Sequence, residues 1–275
     1  MSGTLYIVST PIGNLKDITL RALDILKNSD YILAESSART SKLLHEYNIE
    51  KKIITFNKDN EKKKSNSIKK DLNQGGKISL VTDAGTPSVS DPGFELVRKM
   101  NSKYDVIPIP GPSSLTCAIS VSEIPMNNFI FVGFLPKKMN EKKRKIQELA
   151  KSAMPIVIFE NKHRLKSLIQ LISEILGESV QIGIMRELTK LNESITFSPA
   201  KKALRAIEAK NPQGEIVLIV EAIKKENSLS DTSKKNIRIL LKKFSPKEVV
   251  DIIRVYTNLD KRELYKYVLM IRQEL

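Results

Sequence analysis

Short apolar runs rich in β-branched residues recur along the first half of the chain, each separated from the next by a helical pattern. Residues 5–8, 31–34, 53–56, 77–82 and 106–109 read as strands. Between them, residues 19–27 carry Leu20, Leu23 and Leu26 at helical spacing. Further helices run through Leu43 and Leu44, over a very polar stretch at 60–72, and over 92–100. Strands joined by crossovers of this length cannot form hairpins, so they pair in parallel. The first half is therefore expected to be an α/β unit built on a largely parallel sheet.

The second half has a different rhythm. Strands at 129–134 and 156–159 flank a Lys-rich helix, and a strong helix at 165–176 is closed by Gly177. Strands at 180–185 and 194–197 lie close enough for a hairpin, ahead of a helix at 200–209 and a last strand at 215–220. Residues 224–233 read as a polar linker, followed by short helices at 235–243, 246–256 and 260–272. Ser245 before Pro246, with Glu248 three residues on, is a helix N-cap pattern. The two helices that meet at Thr257-Asn258 suit a small helix-turn-helix, a helical cap or a dimer contact. The expected organisation is an α/β domain over 1–118, a second α/β domain over 119–223, and a helical tail over 224–275.

Several chemistries are excluded. A single Cys117 and two histidines, His45 and His163, cannot supply a disulfide framework or a structural zinc site. No G-x-G-x-x-G, G-x-x-x-x-G-K-[ST] or G-x-S-x-G stands in the chain. No leader pattern or long apolar run is visible, so a cytoplasmic protein without a membrane span is expected. The formal charge of +15 would attract a polyanion such as RNA. Its basic residues are mostly Lys (35 against 11 Arg), however, and Lys bias also arises without any ligand.

Three loops that follow predicted strands are rich in Gly, Pro and hydroxyl residues: Ser9-Thr10-Pro11-Ile12-Gly13-Asn14, Thr82-Asp83-Ala84-Gly85-Thr86-Pro87-Ser88 and Pro110-Gly111-Pro112-Ser113-Ser114. Open α/β sheets bind ligands at such strand ends, and small residues let the backbone approach a ligand closely. From the residues alone, the chain offers a small-molecule crevice in a basic α/β protein.

Read in order, these loops resemble a known family. Thr10-Pro11-Ile12-Gly13-Asn14-Leu15, Asp83-Ala84-Gly85-Thr86-Pro87, Asp91-Pro92-Gly93, Pro110-Gly111-Pro112-Ser113, Gly133-Phe134-Leu135-Pro136 and Arg186-Glu187-Leu188-Thr189-Lys190 stand as in the bacterial small-subunit ribosomal RNA cytidine 2′-O-methyltransferases of the tetrapyrrole-methylase superfamily. The resemblance implies two α/β domains with S-adenosylmethionine in the cleft between them, no metal, a homodimer, and a ribosomal RNA substrate presented on an assembled small subunit. It assigns Pro11, Asp83, Gly85, Thr86, Val89, Ser113, Ser114, Gly214 and Glu215 to the cofactor. Arg186, Glu187 and Lys190 are the catalytic candidates. Strand alternation would put Arg186 and Lys190 on one side and Glu187 on the other, and Lys190 would need a depressed pKa to act as base. Arg186 and Glu187 could equally form a structural ion pair.

Two segments depart from the family pattern. An expected Glu-Asp-Thr-Arg reads Glu35-Ser36-Ser37-Ala38, with Arg39 one position late, and His-x-His-Asn-Glu reads Asn57-Lys58-Asp59-Asn60-Glu61. Glu35, Arg39, Asn60, His163 and Arg164 are the RNA-contact candidates that remain. The competing expectations are a tetrapyrrole or protein methyltransferase of the same superfamily, and an RNA-binding module without catalysis.

Overall fold

The computed structural model describes residues 3–57, 59–210, 214–222, 231–255 and 261–274. Lys58, most of the expected linker and the Thr257-Asn258 junction lie outside them. Two compact units result, Met1–Ile223 and Lys224–Leu275.

The first unit opens with five parallel strands: β1 (Thr4–Val8), β2 (Tyr31–Ala34), β3 (Ile53–Thr55), β4 (Lys77–Val81) and β5 (Asp105–Ile109), in the order β3-β2-β4-β1-β5. Helices α1 (Leu20–Asn28), α2 (Ser37–Glu46), α3 (Glu61–Asn73) and α4 (Phe94–Met100) make the crossovers. Alternation along the strands splits the core in two. Val8, Ile32, Val81 and Ile109 pack with Ala22 and Leu26 of α1 and Leu43 of α2. Leu5, Leu33, Ile78 and Leu80 pack with Ile68 and Leu72 of α3 and Leu96 of α4.

The strand order positions the site. The chain leaves β1 toward β2 on one side and leaves β4 toward β5 on the other, although β1 and β4 are neighbours. Their loops therefore diverge and open a crevice at the carboxyl ends of the strands.

After β5, a helix α5 (Ser114–Ser120), which the sequence pattern does not announce, leads to a second sheet. It contains β6 (Ile130–Phe134), β7 (Ile156–Asn161), β8 (Gln181–Arg186), β9 (Ser194–Pro199) and β10 (Glu215–Val220), in the order β6-β7-β10-β8-β9. Only β6 and β7 pair in parallel; the other pairs are antiparallel, with β8 and β9 forming the expected hairpin. Helices α6 (Met139–Ala150), α7 (Lys162–Leu176) and α8 (Ala200–Lys210) complete this half. Ile156, Ile158, Ile216 and Leu218 face Leu165, Leu168 and Ile172 of α7. The opposite face of the sheet, with Val157, Met185, Val217 and Ile219, packs on Ile12 and Ala118 of the first half. This apolar seam is the floor from which the crevice rises.

α4 starts at Phe94 rather than at residue 92, because Gly93 holds φ +123°, outside the helical region. In the second unit, α9 (Asp231–Leu241), α10 (Pro246–Arg254) and α11 (Lys261–Gln273) surround their own core of Ile237, Val249, Val250, Leu264 and Val268. α10 carries a full capping box, Ser245 accepting from the Glu248 N–H and Glu248 from the Ser245 N–H.

Candidate active site

The three small-residue loops are tied to one another. Thr10 and Gly85 exchange two backbone hydrogen bonds, at 2.9 and 3.0 Å. The Thr10 hydroxyl donates to the Thr82 carbonyl at 3.1 Å. Ser9 Oγ and Thr86 Oγ1 lie 2.9 Å apart, and Thr86 Oγ1 donates to the Pro112 carbonyl at 3.4 Å. Pro11 is buried between these bonded neighbours. Gly85 holds φ +79°, a conformation that any side chain would strain. Ser113 precedes α5 as its N-cap residue, and Ser114 opens the helix.

A cavity of about 420 Å³ lies above this framework, lined from both halves of the unit. Ile12, Glu35, Arg39, Asp83, Ala84, Val89 and Ser114 contribute from the first half; Phe134, Phe159, Glu160, Met185 and Glu215 contribute from the second. Asp83 Oδ2 pairs with Arg39 Nη1 at 3.2 Å. Asp83 Oδ1, by contrast, is buried with no hydrogen-bond partner among the described residues. Buried acceptors are seldom left unmatched, so this oxygen marks the place of a donor on a ligand. Arg39 thus reaches the cleft from the first turn of α2, whose N-cap is Ser36, despite its shifted position in the sequence.

At the rim formed by the second sheet, three charged groups interlock. Lys190 Nζ donates to Glu187 Oε1 and to Glu215 Oε2, each at 3.0 Å, and Glu187 Oε1 also accepts from the Glu215 N–H at 2.9 Å. Burial pushes the Glu187 carboxyl up, but the Glu215 N–H and the Lys190 ammonium outweigh it and hold the group below its ordinary value. Burial pulls the Lys190 ammonium down, yet its bonds to Glu187 and Glu215 leave it raised. Lys190 therefore keeps its proton, contrary to what a base at this position would need.

The alternation expected over 186–190 fails. β8 ends at Arg186, and Glu187 and Thr189 take φ of +51° and +67°, so the chain curls instead of continuing extended. Glu187 and Lys190 meet, while Arg186 turns to the hairpin, donating from Nε to Ser194 Oγ at 3.1 Å and from Nη2 to the Asn192 carbonyl at 2.9 Å. The curl also brings the two halves together. Asn14 N donates to Thr189 Oγ1 at 3.2 Å, and a Cβ on Gly13 would stand 2.8 Å from that hydroxyl. Gly214, at φ +98°, lies directly against the Glu187 carboxylate, in space a side chain would fill.

The RNA-contact candidates separate. Glu35 and Arg39 line the cleft. The Asn60 amide is spent on its own turn, accepting from Asn57 N at 3.0 Å and donating to the Thr55 carbonyl at 3.2 Å. His163 lies on the first turn of α7, partly open to solvent. Arg164 turns inward, its Nη2 donating to the Leu135 and Pro136 carbonyls at 2.8 and 3.3 Å and its Nε lying 3.2 Å from Glu160 Oε1. Asn60 and Arg164 therefore hold loops together, because their partners are backbone and buried groups. Sequence reasoning missed Phe134, Phe159 and Glu160 as cleft residues. The only signal was their position at the carboxyl ends of predicted strands.

Among the described residues, no helix is long and apolar enough to cross a membrane, and no group of three or more potential ligands could hold a metal ion.

Known proteins match this arrangement. The family described as Tetrapyrrole (Corrin/Porphyrin) Methylases matches residues 4–204. Ribosomal RNA small subunit methyltransferase I of Buchnera aphidicola subsp. Schizaphis graminum is 39% identical over 97% of this chain and 95% of its own. The protein of the same name from Thermotoga maritima is 43% identical over 79% of this chain and 98% of its own. Among solved structures, a cobalamin biosynthetic enzyme, cobalt precorrin-4 methyltransferase, superposes with a TM-score of 0.60 at 18% identity, covering 79% of this chain and 94% of that one. At that identity the superposition speaks for the fold.

Proposed function

This chain belongs to the tetrapyrrole methylase family, whose members take their methyl group from S-adenosylmethionine, and we propose that it methylates small-subunit ribosomal RNA on the ribose 2′-oxygen of a cytidine. The observation that carries the reading is the cleft itself. It is lined from both sheets, and the buried Asp83 Oδ1 in it lacks a donor among the described residues. The near end-to-end likeness to ribosomal RNA methyltransferases and the charge of +15 support RNA as the acceptor.

The residues fit the methyl donor. Pro11, Gly85, Thr86, Val89, Ser113 and Ser114 offer a tight, hydroxyl-rich cradle, Asp83 an acceptor for an ammonium or hydroxyl, and Gly214 and Glu215 the opposite edge. When bound, S-adenosylmethionine supplies an electrophilic methyl group on a sulfonium. The chain's own contribution is alignment, which accounts for much of the rate in an in-line displacement. Lys190, held protonated between Glu187 and Glu215, acts as a hydrogen-bond donor and positive charge at the rim, favouring an oxygen that is losing its proton. Arg186 braces the hairpin that carries this rim. Glu35, Arg39 and His163 are the RNA contacts in this reading. The domains 1–118 and 119–223 act as the two jaws of the cleft, and the protein works as a homodimer on assembled small subunits in the bacterial cytoplasm.

The test uses labelled S-adenosylmethionine with small ribosomal subunits from a strain lacking the homologous enzyme, followed by digestion and mass spectrometry. A labelled 2′-O-methylcytidine is expected, with Lys190→Ala slowing single-turnover transfer on bound subunits by about 10²-fold. Label on a base, or on a tetrapyrrole in preference to RNA, overturns the assignment.

A further inference from the structure

Glu160 lies one residue before the end of β7, with its side chain wholly buried, and it lines the cleft. Its Oε1 accepts from Asn161 N at 2.9 Å and lies 3.2 Å from Arg164 Nε. Its Oε2 is buried and, among the described residues, has no hydrogen-bond partner. Native proteins rarely leave a buried acceptor unmatched, and this one lies at the site of a reaction.

An aromatic surface stands beside it. Phe134 is 56% exposed, unusually open for a phenyl ring, and lines the same cleft. It packs edge-on against Phe159 at 5.8 Å between centroids, and Phe159 packs in turn on Phe131 at 4.9 Å. The register shift between Phe131 and Gly133, with Gly133 at φ +62°, re-aims the end of β6. Arg164 couples the two features, since one guanidinium lies against Glu160 and also donates to the carbonyls of Leu135 and Pro136, next to Phe134. A supported, open ring beside a fixed acceptor is how single-stranded bases are held: stacked on an aromatic face and read at an edge.

We infer that Phe134 and Glu160 form the nucleobase seat of the cleft, Phe134 stacking on the base of the nucleotide to be methylated and Glu160 Oε2 accepting from its exocyclic amino group. This rests on the RNA-methylation reading above and adds how the base is chosen. Cytosine presents an amino donor at its 4-position, as a carboxylate requires; uracil presents a carbonyl there, acceptor against acceptor. The target base must be unstacked to enter, and seating it fixes where its ribose stands.

The experiment compares wild type, Glu160→Gln and Phe134→Ala on small subunits carrying the natural cytidine or a uridine at the target position. S-adenosylmethionine affinity is measured by calorimetry alongside. The amide introduced by Glu160→Gln both donates and accepts, so the cytidine-over-uridine ratio of kcat/KM is expected to fall about tenfold or more, with cofactor affinity retained. The exposed Phe134 can be truncated without disturbing a core, and a rise in KM for the subunit of about tenfold is expected with kcat nearly unchanged. A Glu160→Gln protein that methylates both substrates more slowly at an unaltered ratio overturns the seat, as does a loss of cofactor binding in that variant. An unchanged KM in Phe134→Ala overturns it independently of how Glu160→Gln folds. If wild type labels no subunit at all, the RNA reading fails and the seat fails with it.

Discussion

Replacing Glu187 with glutamine tests the rim through its electrostatics. The amide keeps the shape and an acceptor for the Glu215 N–H, 2.9 Å from Oε1 in the wild type, but loses the charge that faces Lys190 Nζ at 3.0 Å. Lys190 retains only Glu215, whose side chain is 72% exposed and correspondingly screened. Hydrogen bonds to charged groups contribute about 1.5–3 kcal/mol. The part-exposed Lys190 brings the expected loss to about 1 kcal/mol, or about 2–4 °C in Tm for a unit of this size. The sign with pH follows from the two shifts. Glu187 is held below its ordinary value, so its contribution is present above its unfolded pKa and is lost as pH falls through the lower folded value. Lys190 is raised, so its contribution is complete below its unfolded pKa and is lost as pH rises through the higher folded value. Urea denaturation of both proteins across pH should show a gap at neutrality that closes in acid, where the protonated Glu187 carboxyl resembles the amide, and closes again in strong alkali. Equal stabilities at pH 7, or a gap that persists undiminished in acid, would refute the ionic account of the rim.

Asp83→Asn should weaken S-adenosylmethionine binding about tenfold by calorimetry, the loss of one charge-assisted hydrogen bond, with little change in Tm. Gly133→Ala forces a side chain into left-handed backbone against Ser90 Oγ; a loss of about 1–3 kcal/mol is expected by thermal denaturation, partly restored by Ser90→Gly in the same chain. Ser245→Ala removes the capping box and should speed amide exchange in α10 by the equivalent of about 1 kcal/mol, leaving exchange in the two sheets unaltered.

Much of the fold could be read from local pattern. Apolar runs such as that at β4 are buried on both faces, so their composition alone marks central parallel strands, and the crossovers between them exclude hairpins. Thr19, Asn161 and Ser245 cap helices because a short side-chain oxygen reaches a free N–H two or three residues away, a purely local interaction. The loops after β1, β4 and β5 were recognisable for the same reason, since Gly and small residues betray strained or close-packed backbone. By contrast, α5 escaped notice, for seven residues carry too little periodicity to stand out. Strand order, and with it the divergence of the β1 and β4 loops, depends on long-range pairing that no local pattern contains.

The partners of the charged residues divide in the same way. The sequence by itself determined that Arg186, Glu187, Lys190 and Arg164 would lie near strand ends. Only the tertiary structure decided that Glu187 would meet Lys190 while Arg186 and Arg164 turned to loop carbonyls. A left-handed turn at Glu187 reverses the alternation, and a side chain's partner is set by what folding brings within about 3 Å. The cleft shows this most fully. Asp83 and Glu160 are 77 positions apart in the chain, and they become two unmatched acceptors of one cavity only because the apolar face of the second sheet packs onto the loops of the first.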